Sequence, residues 1–301
     1  MSYNFSSSSE RDILKILRGI ELASIVSMSK SNTGFGRASL DIFSAFHVLD
    51  PEIKFFDFSQ TSSFFGRFVY NKRWRNLPSS GTSLMCCLPP ILWIFVPREF
   101  VIAVFDVYAS DEKGLRGLVL RFFWFVWLKR AKFVLPVSSA IKNKLSLNQT
   151  FPPLLNIVKF KGKFGNTCAD RVLRICVITS NKVNKNQELL LEIIRRSRRL
   201  SVVFYIVGLR EQPDISDNVL SVSWVSDLAM QDIFDICDGL LCCSKDEGLS
   251  YPVIDALVKG MFIITTPIPV FDDYLGGYGR WIKVESFDDP NRFVDEIEKL
   301  I

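Results

Sequence analysis

The chain has 301 residues, of which 48% are hydrophobic and 13% aromatic, enough to fill the cores of two domains and to exclude a disordered protein. The net charge of +5 is uneven, because residues 1–150 hold 19 Lys and Arg against 11 Asp and Glu. The basic first half therefore favours an anionic partner or surface.

Seven cysteines and one histidine occur without a C-x2-C spacing, which argues against a zinc site or a disulfide framework. We expect buried free thiols in a reducing compartment. The Ser-rich residues 1–10 lack the apolar stretch of a secretory signal, and the apolar runs at 84–97 and 118–128 are too short to span a bilayer. These features predict a cytoplasmic protein.

The first half opens with an apolar run at 22–28, a turn reading Thr33-Gly34-Phe35-Gly36-Arg37, and a predicted helix over 38–49. A strand, a glycine turn and a helix are typical of a first Rossmann βα unit, although the glycines also suit an ordinary tight turn. Further strands are predicted at 53–58, 91–96 and 101–105. Asp106 follows the last of these, at its carboxyl end.

Residues 114–132 predict a helix that is aromatic on most sides and basic at its edges. One interpretation is a core helix, and the other is a membrane-surface patch with aromatic rings in the interface and cations on anionic headgroups. No nucleic-acid-binding motif is present, so nucleic acid ranks below a membrane. A strand and a short helix follow at 133–145.

In the second half, predicted strands alternate with predicted helices, which indicates a parallel sheet covered on both faces. The strands are at 173–179, 201–207, 219–225, 239–243 and 261–265, and the helices at 184–196, 227–237, 252–260 and 288–301. We therefore predict a first domain at 1–150, a linker at 151–170 and a second domain at 171–301.

The most informative stretch is 244–260, which predicts a loop and a helix between two buried strands. Such a loop lies at the carboxyl end of a strand and at a helix N-terminus, where open parallel sheets bind ligands and phosphate is favoured. Gly248 permits close backbone approach, and Asp255 is placed in the first helical turn. An acid there also stabilises a helix without any ligand, so both interpretations stay open.

The sequence Glu-Gly-Leu-Ser-Tyr-Pro-Val-Ile-Asp-Ala at 247–256 resembles the Glu-Gly-Phe-Gly-Leu-Pro-Val-Leu-Glu-Ala signature of retaining glycosyltransferases with the GT-B fold. The family motif is E-x7-E, and this chain reads E-x7-D. The 33–37 turn is similar to the family's Thr-Gly-Ile-Gly-Arg loop. The resemblance implies an α/β protein with two Rossmann-like domains, whose parallel sheets face a central cleft. The first domain would be on the acceptor side, and the second would bind the donor.

The implied activity is transfer of a hexose, with retention, from a nucleoside-diphosphate sugar to a lipid-linked or polysaccharide acceptor. It implies no metal and no cofactor besides the nucleotide-sugar co-substrate. The implied partners are this donor and a glycan or lipid-linked acceptor, with peripheral contact of 114–132 on an anionic membrane and no nucleic acid.

The resemblance also assigns roles to residues. Glu247 and Asp106 would be catalytic, and Asp255 would hold the ribose. The loop facing the acceptor and the sugar would use Gly34, Gly36 and Arg37. The diphosphate would meet Lys182, Lys185 and the backbone N–H groups of Gly248, Leu249 and Ser250.

Two positions depart from the family pattern. Phe105 stands where the family has the His of a His-Asp pair, and Ser180 stands where it has an Arg for the diphosphate. Both departures favour a catalytically impaired protein that binds a nucleotide sugar or serves a partner. A nucleotide-sugar epimerase or hydrolase on the same fold is a further interpretation, and a basic membrane- or RNA-associated adaptor is the last.

Overall fold

A computed structural model describes the two compact units of the chain, residues 1–159 and 160–301, each of which is presented by itself. The boundary falls within the predicted linker, which lies outside the described residues. The described residues are 22–27, 39–40, 42–44, 46–47, 50–57, 77, 80–86, 99–105, 114–145, 172–209 and 218–301.

The described part of the first unit contains a five-stranded parallel sheet in the order β2-β1-β3-β4-β5. The strands are β1 (Leu22–Ser27), β2 (Lys54–Asp57), β3 (Thr82–Met85), β4 (Phe100–Val104) and β5 (Phe133–Pro136), and the helices are α1 (Gly114–Arg130) and α2 (Ser139–Lys144). Residues 39–40, 42–44 and 46–47 are also helical. The predicted strands at 22–28, 53–58 and 101–105 and the helix at 114–132 are confirmed. The strand predicted at 91–96 lies outside the described residues.

β3 was not predicted, because it begins with two hydroxyl residues, Thr82 and Ser83, that read as polar. In the fold both are buried, and the Ser83 hydroxyl meets the Ser24 hydroxyl of β1 at 2.8 Å. A hydrogen bond of this kind removes the cost of burying both groups. β3 therefore forms the central strand of the sheet although it begins with polar residues.

The second unit contains a six-stranded parallel sheet in the order β11-β10-β9-β6-β7-β8. Its strands are β6 (Leu173–Ile178), β7 (Val202–Val207), β8 (Val219–Val222), β9 (Gly239–Cys242), β10 (Phe262–Thr265) and β11 (Trp281–Lys283). Its helices are α3 (Gln187–Arg196), α4 (Asp227–Ile236), α5 (Tyr251–Val258), α6 (Pro269–Leu275) and α7 (Pro290–Glu298). All predicted strands of this half are confirmed within a few residues, whereas α6 and β11 were not predicted.

The order of this sheet reverses between β6 and β9. From β6 the chain proceeds outward through β7 and β8, and from β9 it proceeds outward in the other direction through β10 and β11. The loops after β6 and β9 therefore leave the same sheet edge in opposite directions and open a crevice, which is where doubly wound sheets bind ligands.

The sequence pattern of α3 predicts its buried face correctly but not the residue at which the helix begins. Leu189, Leu190, Ile193 and Ile194 recur at helical spacing, and all four are buried in the core of this unit. The helix was predicted to start at residue 184. Instead Val183–Lys185 forms a single 3-10 turn, because Asn186 is left-handed, with φ of 49°. That break ends the 3-10 turn directly after Lys185.

α5 ends at Val258, and the predicted stop residue, Gly260, follows the cap residue Lys259 with a φ of 71°. The Gly260 N–H donates to the Leu257 carbonyl at 3.1 Å, and the Met261 N–H donates to the Ala256 carbonyl at 3.0 Å. This is a Schellman termination, in which a glycine supplies the left-handed residue. It turns the chain directly into β10.

The five cysteines in the described residues are free, and all except the half-buried Cys242 are buried. Burial raises the pKa of the Cys86 thiol to about 12, although a hydrogen bond with Ser39 opposes the rise. The four buried thiols agree with the prediction of buried free cysteines. Among the helices that the structure describes, none has the length and hydropathy needed to cross a membrane.

Gly208 follows β7 with a φ of +103°, and a Cβ there would lie 2.0 Å from the carbonyl oxygen of Thr179. We expect Gly208→Ala to destabilise the protein by about 2–3 kcal/mol. An alanine is strained at this positive φ, and its clash with the Thr179 backbone is relieved only if the main chain moves. Denaturant unfolding of the full chain measures this change. Gly279→Ala is the matched control, since a Cβ there meets nothing within 4 Å. Equal effects at the two positions would contradict the prediction.

Candidate functional site

The loops after β6 and β9 contact each other through both side chains and backbone. The Lys185 Nζ donates to Glu247 Oε1 at 2.5 Å. Beside this ion pair, the Lys245 N–H donates to the Asn184 carbonyl at 2.7 Å, and the Asn184 side-chain amide donates to the Asp246 carbonyl at 3.0 Å. The crevice predicted from strand order therefore holds two of the predicted site residues in direct contact.

The ion pair is largely shielded from solvent, with side-chain exposures of 19% for Lys185 and 12% for Glu247. Burial alone would lower the pKa of Lys185, but the adjacent Glu247 carboxylate outweighs burial and leaves this pKa above its ordinary value. The Ser244 hydroxyl donates to the same Glu247 oxygen at 2.7 Å. The lysine is thus a fixed cation held at the edge of the sheet at neutral pH.

A thiol lies behind this pair. The Cys242 Sγ is 3.6 Å from the Ser244 Oγ, which in turn donates to Glu247. Burial raises the pKa of Cys242, and the Glu247 charge acts in the same direction. The thiol therefore stays protonated and serves as a neutral donor at the back of the crevice.

Backbone strain marks both loops. Among the described residues, the non-glycine residues with positive φ are Asn186 and Ser250, at 49° and 59°. Asn186 follows Lys185, and Ser250 ends the Glu247 loop. Such conformations cost energy in the absence of a compensating role, and they cluster at functional sites.

The Ser250 hydroxyl is buried and has no hydrogen-bond partner. Ser250 is 7% exposed, so water does not compensate in the way it does for a surface serine. A buried, unpaired polar atom is uncommon in a folded protein and requires an explanation. Ser250 lies three residues after Glu247, so this unpaired hydroxyl belongs to the same loop as the ion pair.

Two side chains from the β10 side hold the loop. The Tyr274 hydroxyl of α6 donates to the Leu249 carbonyl at 2.8 Å, and the Thr266 hydroxyl donates to the Ser244 carbonyl. The peptide bonds of the described residues are trans, so the Leu249 carbonyl and the Ser250 N–H point in opposite directions. Tyr274 thereby directs the Ser250 N–H away from α6.

The N-terminus of α5 offers fewer donors than the sequence suggested. The N–H groups of Val253 and Ile254 both bond to the Ser250 carbonyl, and Pro252 has no N–H. Beyond Tyr251, the first turn of the helix therefore has no N–H group left for an anion, and residues 248–250 of the preceding loop are the main source of donors.

The placement of Asp255 in the first helical turn was wrong. α5 begins at Tyr251, so Asp255 lies in the second turn, where it is buried to 7% exposure. Helix-dipole stabilisation falls off within the first turn, so it does not account for an acid at this position. The interpretation of Asp255 as an acid that merely stabilises the start of a helix is therefore withdrawn.

The other predicted site residues differ in how the structure places them. Lys182 precedes the 3-10 turn and is exposed, in contrast to Lys185. Phe105 is buried just after β4. The remaining predicted residues lie outside the described part of the chain: Gly34, Gly36, Arg37 and Asp106.

Sequence reasoning missed four residues that shape the site: Asn184, Ser244, Thr266 and Tyr274. Ser244 carried a usable signal, since it directly follows a buried strand at its carboxyl end. Tyr274 carried none, because its short helix begins at Pro269 in a stretch without clear periodicity.

Tyr274→Phe tests the loop geometry. We expect a stability loss of about 1 kcal/mol from one hydrogen bond, together with weaker binding of any ligand that uses the Ser250 N–H. Tyr278→Phe is the matched control, because the Tyr278 hydroxyl donates to the Met261 carbonyl at 2.8 Å, outside the loop. Thermal melts and nucleotide titrations of both variants measure the two effects. Equal ligand affinity in the two variants would show that Tyr274 does not position the loop.

Comparison with known proteins agrees with this geometry. The architecture, two α/β units with parallel sheets, is that of the GT-B glycosyltransferases. Residues 172–301 match the family model described as glycosyl transferases group 1, and no curated protein matches the chain. The matched region contains the Lys185–Glu247 crevice.

Three solved structures illustrate the likeness. The lipopolysaccharide outer core galactosyltransferase WaaB aligns with a TM-score of 0.61 and 16% identity, over 93% of this chain and 90% of its own. Anabaena HepE, in complex with UDP and glucose, aligns with a TM-score of 0.61 and 11% identity, over 93% of this chain and 89% of its own. TarM aligns with a TM-score of 0.53 and 11% identity, over 73% of this chain. The alignment covers only 47% of TarM, so this chain spans about half of TarM's length.

Proposed function

We propose that the protein is a retaining hexosyltransferase that takes its sugar from a nucleoside-diphosphate donor. The observation that carries the proposal is the shielded Lys185–Glu247 pair in the crevice between β6 and β9. It places a permanent cation beside a carboxylate at the sheet edge where nucleotides bind in such folds. The family match over 172–301 and the UDP complex of HepE support a nucleotide-sugar donor.

In this proposal the two charges have separate tasks. Lys185, with exposed Lys182 as a second charge, stabilises the diphosphate as negative charge develops on the leaving group. The backbone N–H groups of Gly248, Leu249 and Ser250 complete the cradle. These cations supply the positive charge that other enzymes obtain from a metal, so the reaction proceeds without a metal or a further cofactor.

Glu247 contacts the sugar hydroxyls near the reacting carbon, and Asp255 holds the ribose, through a water where its shorter side chain falls short. In the usual front-face scheme, the sugar C1–O bond to the diphosphate breaks while the acceptor oxygen bonds to C1 on the same face. The acceptor proton passes to the departing phosphate oxygen, which gives retention. Gly34, Gly36, Arg37 and Asp106 are proposed for the acceptor side.

We propose a lipid-linked or polysaccharide acceptor and a cytoplasmic protein at a membrane surface. WaaB, a lipopolysaccharide galactosyltransferase, supports this acceptor class by its fold. An acceptor with a lipid anchor is presented at a bilayer, so a transferase that rests on the bilayer meets it at high local concentration.

Thermal shift with UDP-, GDP- and ADP-sugars tests the proposal. A donor at roughly 100 times its Kd stabilises the folded protein by about 2.7 kcal/mol, which a melt detects easily. We expect one nucleotide class to stabilise the wild type and to lose half or more of that effect in Lys185→Ala. Glu247→Ala should lose less, because it removes contacts with the sugar but not the cation that meets the diphosphate. Lys259→Ala, which breaks the Lys259–Asp235 pair outside the crevice, is the control. A wild type that responds to no nucleotide would refute the donor site.

A second candidate is a protein that binds the donor without transferring the sugar. Phe105 and Ser180 favour it, because they lack the imidazole and the guanidinium that the family pattern has at these positions. It predicts the same thermal shift but no release of nucleoside diphosphate, with or without acceptor. Release of nucleoside diphosphate from the bound donor would exclude it.

A further inference from the structure

α1 presents an apolar stripe to solvent. Leu118, Phe122 and Phe125 are 60%, 61% and 56% exposed, and Val119 beside them is 43% exposed. The spacing of four and three residues places the first three on one line along the helix. Two large aromatic rings on one exposed helical line are unusual for a protein surface and mark an interaction site.

The opposite side of α1 fixes the helix to the first unit. Trp127 is fully buried, and its ring meets Phe100 of β4 edge to face at a centroid distance of 5.5 Å. Trp127 lies about half a turn around from the exposed stripe, since each residue advances about 100°. The stripe is therefore presented outward by a helix whose inner face is already packed.

Positive charge borders the stripe. Lys129 continues the line one turn beyond Phe125, with its Nζ 4.5 Å from the centre of that ring, and Arg121 is the exposed neighbour of Phe122. Arg130 adds a third cation at the same end. The sequence of α1 contains no acidic residue.

We infer that this face of α1 docks in the interface of an anionic lipid bilayer, with the helix lying in the membrane plane. Apolar rings enter the boundary between headgroups and acyl chains, and the bordering cations meet lipid phosphate. A nucleic acid would use the cations but leave an unbroken aliphatic and aromatic line exposed. The inference extends the membrane part of the proposed function, and it needs neither a donor nor catalysis to be tested.

Vesicle co-sedimentation of the full chain without nucleotide tests it. We expect binding to vesicles of equal parts phosphatidylcholine and phosphatidylglycerol, weak binding to phosphatidylcholine alone, and release at high salt. Neutralising two cations in Arg121→Gln/Lys129→Gln should weaken binding about 25-fold, at roughly fivefold for each cation. Phe122→Ser/Phe125→Ser should abolish binding even at low salt.

Matched controls exist in the second unit. Trp224→Ser/Leu228→Ser removes side chains that are 71% and 80% exposed, and Arg195→Gln/Arg199→Gln removes two exposed cations. Both should bind vesicles like the wild type, and thermal melts should show that all four variants are folded.

Four outcomes would overturn the inference. The first is absence of wild-type binding to anionic vesicles, and the second is equal binding by the α1 variants and their controls. The third is a concentration-dependent dimer, abolished only by Phe122→Ser/Phe125→Ser, without vesicle binding; this would assign the stripe to a second copy of the chain. Retention of single-stranded RNA without vesicle binding would equally assign it to nucleic acid. None of these results would change the nucleotide-induced thermal shifts, so the donor site is tested independently of membrane binding.

Discussion

Lys185→Ala is expected to remove most of the affinity for a nucleoside-diphosphate sugar and to destabilise the protein at the same time. The lysine is a shielded cation, so losing its bond to the diphosphate should weaken binding by roughly 10–100-fold. Its removal also leaves the Glu247 carboxylate, which is 12% exposed, without its charged partner. We expect a loss of about 2–3 kcal/mol from that uncompensated charge. Calorimetric titration and denaturant unfolding measure the two effects.

The double variant Lys185→Ala/Glu247→Gln separates these effects. Without the carboxylate no uncompensated charge remains, so most of the lost stability should return, while donor binding should stay weak. If binding returned together with stability, Lys185 would be a structural residue only. If neither single nor double variant changed donor affinity, the proposed diphosphate role would be wrong.

The Lys185–Glu247 contact shows what the sequence could and could not predict. Each residue was identified by the resemblance to the family: Glu247 by the signature in the loop between two buried strands, and Lys185 by its match to the family's diphosphate lysine after β6. Their contact depends on β9 pairing with β6, a strand more than sixty residues away in the chain. Hydrophobic periodicity identifies strands but does not determine their order in the sheet.

Other errors have local physical causes. β3 was not predicted because Ser83 is polar. Its burial is compensated by a hydrogen bond with Ser24 on the neighbouring strand, and the sequence does not show which strands are neighbours. Asn186 was included in a helix because asparagine is tolerated there, but its left-handed backbone ended the 3-10 turn before α3. Asp255 was placed in the first turn because Pro252 was assigned the first helical position. Tyr251 occupies that position, so Asp255 is the fifth helical residue and lies in the second turn.

The site also uses residues whose value is geometric rather than chemical. Tyr274 and Thr266 bond to backbone carbonyls, and any hydroxyl at the right point would serve. Burial raises the pKa of Tyr274 well above its ordinary value, and the nearby Cys242 and Glu247 add to the rise. Its phenol therefore remains a donor across the physiological pH range. Loop order in the absence of ligand follows from such bonds, and it reduces the entropy lost on binding.

Glu247→Gln is expected to separate donor binding from chemistry. Glutamine keeps the size of the side chain and a carbonyl acceptor for the Ser244 hydroxyl, but it carries no charge. The donor diphosphate is negative, so removing a nearby negative charge should leave donor affinity equal or slightly higher. Chemistry should slow by about 10²–10³-fold, because the charge near the reacting carbon no longer stabilises its positive character.

Single-turnover release of nucleoside diphosphate, with the donor identified by thermal shift, measures the chemical step apart from binding. Leaving Lys185 without its partner should cost stability of about 2 kcal/mol, so rates must be compared below the lowered melting temperature. Glu188→Gln on the exposed side of α3 is the control for a lost carboxylate. Unchanged release by Glu247→Gln would remove Glu247 from the chemistry. If the wild type binds the donor but releases no diphosphate, the donor-binding protein without transfer becomes the correct description, and the carboxylate then serves only to hold Lys185 in place.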